Sequence, residues 1–112
     1  MPFDALPEDI VSDVMKLRLA RDKMAGSWLS GQWGDPDEAA HCTVGWLLAV
    51  TDWDAEMTTR LVHDYVHPAL PKTAQRKTSK VWAVSNYNDT HSERAALAVM
   101  DRAIALATSC GE

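Results

Sequence analysis

Three clusters in this chain hold side chains whose types and spacing could do chemistry. The first is Asn86-Tyr87-Asn88-Asp89-Thr90, directly ahead of an apolar periodic run from Glu93 to Ala107. Two amides and a carboxylate at one junction can hold a ligand, with Trp33 from an upstream loop closing over the same end. The same residue types also punctuate helices, because Asn and Asp side chains compete for nearby backbone N–H groups. On that reading the Asn cluster stops one helix, and Thr90 with Glu93 forms a capping box that starts the last. The second cluster is His63 and His67, four apart on an expected helix with Asp64 beside them. Zinc wants three or four ligands, and the Glu of a His-Glu-x-x-His motif is missing, so no metal is expected. The third is His41-Cys42. Adjacent helical residues point about 100° apart and cannot pair as base and nucleophile, and a Cys in an apolar run reads as inert core. No Gly-rich phosphate loop, Ser-His-Asp pattern or carboxylate pair with acid–base spacing accompanies them. The expectation is a protein that is not an enzyme and carries no cofactor.

The elements that must position these residues are helical. Pro7-Glu8-Asp9 opens a pattern of Ile10, Val14, Leu17, Ala20 (or Arg21) and Met24, with Gly26 near its stop. Acids at its front and bases at its back agree with the helix dipole. Ser27 to Gly34 is a loop by its glycines, yet it carries Trp28, Leu29 and Trp33, which suits a lid folded over the core. Asp35-Pro36-Asp37-Glu38 supplies a cap and a proline for a second helix holding Ala39, Cys42, Trp46, Leu47 and Val50. Gly45 inside it suggests close packing of another backbone. Asp52-Trp53-Asp54 starts a third, with Met57, Leu61, Tyr65 and Val66, ended by Pro68 and Pro71. Val81, Val84 and Trp82 pack in a fourth. The last helix buries Ala96, Leu97, Met100, Ala103, Ile104 and Ala107. No segment alternates with period two. The fold class is all-α: one domain over residues 1–112, a bundle of four to five short helices, with 1–7 a flexible leader and 72–79 a basic linker or exposed helix start.

Charge narrows the classes of partner. The net charge of −5 argues against direct nucleic-acid binding. Between Asp35 and His67 stand seven acids (Asp35, Asp37, Glu38, Asp52, Asp54, Glu56, Asp64) and one base, Arg60. Lys72, Arg76, Lys77 and Lys80 then follow with no acid among them. Solvated faces explain such blocks, and so does a charge-steered docking surface. Two cysteines do not make a disulfide framework. The opening Met1 to Ile10 lacks a signal-peptide core, and Val44 to Val50 is too short to span a bilayer, so a cytoplasmic protein with no membrane contact is expected.

Taken in order, Gly31-Gln32-Trp33, His41-Cys42-Thr43-Val44-Gly45, Tyr87-Asn88-Asp89 and Met100-Asp101-Arg102-Ala103-Ile104 form a pattern. It resembles a family of small uncharacterised bacterial and phage-borne proteins, known only as a domain of unknown function. The family's pattern runs from an opening helix through a Gly/Trp loop and a Cys-x-x-Gly motif to Trp-Asn-Asp and a final helix. Here it would cover Val14 to Ala107, with Tyr87 where Trp is usual and a shortened loop before Asp35. The resemblance implies a helical fold and carries no activity.

Together these features point to a binding or regulatory module that works through a protein partner. Asp35, Asp37, Glu38, Asp52, Asp54 and Glu56 are its contact residues. One form is a phage-borne inhibitor whose acidic face covers a host nucleic-acid-binding complex. The alternative is a small-molecule or enzymatic site under the Trp28–Trp33 loop, with Trp33, Asn86, Asn88 and Asp89 as its lining. A homodimer using the surplus of Trp (five, against one Phe) as its seam is a third option.

Overall fold

The computed structural model describes residues 8–28, 41–76 and 79–110, excepting the side chains of 8–11, 76 and 110. The leader 1–7, Trp33, Asp35, Asp37 and Glu38 lie outside the described residues. The fold is all-α, in the element order α1 (Glu8–Met24), α2 (Thr43–Val50), α3 (Ala55–Leu61), α4 (His67–Ala69), α5 (Lys80–Thr90) and α6 (Glu93–Cys110). A π-helical turn, Val62–Val66, joins α3 to α4, and a 3-10 turn, Lys72–Arg76, precedes α5. No strand occurs among the described residues; Trp28 and His41 form one isolated bridge.

Apolar spacing explains the two long helices. Leu17, Ala20 and Met24 of α1 are completely buried against α6 and α2. Ala96, Met100, Ala103 and Ala107 of α6 are buried at the same three-and-four interval, and Val99 joins them. Arg21 belongs to the rim instead, where its Nε donates to Asp101 Oδ1 on α6 at 2.9 Å. Past the end of α1, Gly26 adopts φ +87°, a left-handed stop that a side chain would strain.

The middle of the chain departs from the expected boundaries. His41 and Cys42 are not helical: α2 starts at Thr43, with Cys42 as its N-cap and its Sγ accepting from Gly45 N at 3.4 Å. Helix α3 starts at Ala55, where Asp54 Oδ1 accepts from Met57 N at 3.0 Å. Its run continues past Pro68 because of the π turn, in which the His67 N–H reaches back to Val62 O. Proline offers no N–H to the carbonyl four residues back and its ring crowds that carbonyl; a widened turn just ahead relieves both. Pro68 thus sits inside α4, and the chain leaves helix at Leu70.

Candidate functional site

The Asn cluster does not stop a helix. It forms the last turns of α5, which runs through to Thr90. Thr90 Oγ1 donates to Asn86 O at 2.8 Å, so it closes α5 and leaves no capping box with Glu93. Ser92 caps α6 instead, its Oγ accepting from Ala95 N at 3.2 Å. Glu93 reaches across the fold, and its Oε2 accepts the Gly26 N–H at 3.0 Å. His91 stacks on Tyr87, ring centroids 3.8 Å apart, beside the end of the helix.

Asn88 is the centre of this junction. It is 1% exposed, and its Oδ1 accepts three hydrogen bonds from described residues. The donors are Trp28 Nε1 at 2.6 Å, Thr43 Oγ1 at 2.7 Å and Thr43 N at 3.0 Å. Its Nδ2 donates to Asp89 Oδ1 at 3.3 Å. A buried amide oxygen has two lone pairs, and three donors occupy them fully. One side chain therefore ties Trp28, two residues past α1's stop, to the start of α2 and the end of α5. Of the expected ligand-binding residues, the structure brings Asn88 and Asp89 into contact, while Asn86 is half-buried with its carbonyl turned to Thr90.

His41 and Cys42 sit beside this hub. The His41 ring is buried edge-on to Trp46 and Trp53, with centroids 4.6 and 5.9 Å away. Trp46 Nε1 donates to Ser27 O at 2.9 Å. Burial pushes the Cys42 thiol above its ordinary value, with Gly45 N–H pulling the other way, so it stays protonated at neutral pH. His63 is exposed while His67 is buried, with its Nε2 unpartnered. Among the described residues, no group of three or more His, Cys, Asp and Glu could hold a metal ion.

A second feature is the corner between α2 and α3. Asp52 and Trp53 both take left-handed backbone angles, φ 61° and 62°, which Asp tolerates and Trp resists. Hydrogen bonds hold the strain in place: Trp53 N donates to Leu48 O at 2.7 Å, Thr51 Oγ1 donates to Leu48 O at 3.0 Å, and the Thr51 and Thr58 hydroxyls are hydrogen-bonded to each other at 2.8 Å. The corner presents Asp52, Asp54 and Glu56 to solvent. No described base pairs with any of the three, whereas Asp64 approaches Arg60 at 3.8 Å.

Sequence reasoning missed another buried polar group. Asp13, 2% exposed, takes a fork of bonds from Arg60 at 2.6 and 2.8 Å and one from Tyr65 Oη at 3.1 Å. Asp13 pushes the Arg60 guanidinium further above its already high ordinary value. The signal was there: Asp13, Leu17, Ala20 and Met24 share one helical face. Two shallow grooves stand out on the described surface, one at Pro68–Leu70 against Arg102 and Leu106, the other along α1; neither is lined by Asn86, Asn88 or Asp89. Comparison of the chain with protein-family models, with curated proteins and with solved structures gave no match.

Proposed function

We propose that this chain is a small binding and regulatory module, acting by contact with a protein partner through its acidic corner. The observation that carries this reading is the corner itself. Asp52, Asp54 and Glu56 stand exposed, without basic partners among the described residues, on a turn whose strained backbone is locked from behind. A rigid cluster of like charge loses little conformational freedom on docking and steers a basic surface toward it. Strain of this kind persists where surrounding structure over-determines it and collects at functional surfaces. The partner we favour presents a basic face that otherwise holds nucleic acid, so that docking occludes it. An accessory protein of bacterial or phage type fits that role.

The alternative small-molecule reading loses support from Asn88, whose acceptor is already filled by protein donors. The test is a quantitative pull-down with immobilised wild type beside Asp52→Asn/Asp54→Asn/Glu56→Gln. Asn retains the cap at position 54 and tolerates the left-handed backbone at 52, so the variant removes charge and keeps the turn. A stoichiometric partner that wild type holds, and that the neutral variant or raised salt releases, supports the reading. Equal retention by both proteins overturns it.

A further inference from the structure

The groove between the end of α4 and helix α6 pairs an aliphatic surface with one oriented charge. Arg102, Ala105, Leu106 and Ser109 fall at spacings of three, four and seven, a single stripe of α6. Pro68 and Leu70 form the facing wall, and the space between is about 400 Å³. Leu106 is 38% exposed there. Arg102 supplies the charge. Its Nε donates to Ala69 O at 2.8 Å, which fixes the plane of the guanidinium, while its two Nη groups bond to no described residue. No described carboxylate pairs with it, and its neighbour Asp101 is held by Arg21 at 2.9 Å. The backbone of the facing wall is spent. Gln75 Nε2 donates to Leu70 O at 2.7 Å and to Pro68 O at 3.3 Å, so with Arg102 on Ala69 O the carbonyls that end α4 are all taken.

We propose that this groove binds a medium-chain alkyl carboxylate, its head on the Nη groups of Arg102 and its tail laid along Ala105 and Leu106. A guanidinium held in plane with both Nη groups open takes a carboxylate by two parallel hydrogen bonds. Beyond that head the walls are aliphatic, and their backbone has no acceptor left to offer. An extended peptide laid here would take its N–H groups out of water without giving them partners; an alkyl tail brings none to satisfy. The stripe also sets the length. From Arg102 to Ser109 the helix rises about 10 Å, the span of roughly eight carbons. At Ser109 the surface turns polar again, so a longer tail gains little. This site is separate from the acidic corner, and either proposal can fail without the other.

The experiment titrates hexanoate, octanoate and decanoate, each below its micelle concentration, into the isotope-labelled full chain and follows backbone amide shifts by NMR. Saturable shifts are expected at 68–70 and 102–109. Affinity should rise about two-fold per carbon up to octanoate, since an open groove covers roughly half of each methylene, and level off at decanoate. Octanol, with the same tail and no charge, should bind about ten-fold more weakly. Arg102→Gln removes the charge together with the guanidinium bond to Ala69 O, so Ala105→Glu is the cleaner variant. At an exposed helical position it sets a carboxylate one turn from Arg102, and it should weaken octanoate to the level of octanol with helicity unchanged by circular dichroism. The absence of saturable shifts in the groove overturns the proposal. So does octanol binding as tightly as octanoate, or a folded Ala105→Glu that binds octanoate as wild type does.

Discussion

Asn88 and Asp13 are both buried polar side chains, and each fastens distant parts of the chain together, but they do so by different chemistry. Asn88 is a neutral acceptor enclosed by neutral donors: an indole, a hydroxyl and a backbone amide. Asp13 is a carboxylate met by a guanidinium whose own side chain is 43% exposed. At the first site every partner is committed, and removing the acceptor strands donors inside the protein. At the second, one partner keeps a route to water. The difference teaches that burial of a polar residue is a weak guide to the cost of losing it; what its partners can do afterwards decides.

The comparison can be broken experimentally. Asn88→Ala should have the largest effect, about 3–5 kcal/mol in urea unfolding, since it combines a cavity with unpaired buried donors. Next, Arg60→Ala should cost about 3 kcal/mol by leaving the Asp13 carboxylate buried, and Asp13→Ala about 2 kcal/mol, because the freed Arg60 turns to solvent. If Asp13→Ala proves costlier than Arg60→Ala, the asymmetry is wrong. Thr43→Val should lose only about 1 kcal/mol, as two donors still serve Asn88. The smallest effect is set by pH. Cys42, next to Thr43, has its thiol raised above 9.0 in the fold, so the native state binds the proton more tightly than the unfolded chain does. Its contribution is complete below that value and fades as pH climbs through the native one. Cys42→Ser should therefore flatten the alkaline end of the stability profile, while Arg60, already charged, adds no slope in the accessible range.

The contrast also marks what the sequence made legible. The long helices declare themselves because Leu17, Ala20 and Met24, like Ala96, Met100, Ala103 and Ala107, repeat at helical spacing. Polar hubs do not, since Asn88 uses the same residue type whether it caps, binds or braces. The cluster drew notice from sequence, but the indole and hydroxyl that fill it come from 60 and 45 residues away. Asp13 sat in plain view on an apolar stripe, yet only Arg60, 47 residues on, gives it meaning. The misplaced cap has a local cause: Thr90 and Ser92 both fit the start of α6, and Thr90 is spent on the end of α5. The π turn could not be read at all, because Pro68 ordinarily signals a stop and here the surrounding core carries the helix past it.

The bridge between Trp28 and His41 has a consequence for how this molecule could be altered. His41 N–H bonds to Ser27 O at 3.1 Å, and the Trp28 indole is anchored on Asn88, so the chain departs and returns at one clasped point. Those contacts hold α1, α2 and α5 in register through residues of the bundle itself, so a substitution at Trp28 is felt in all three helices at once.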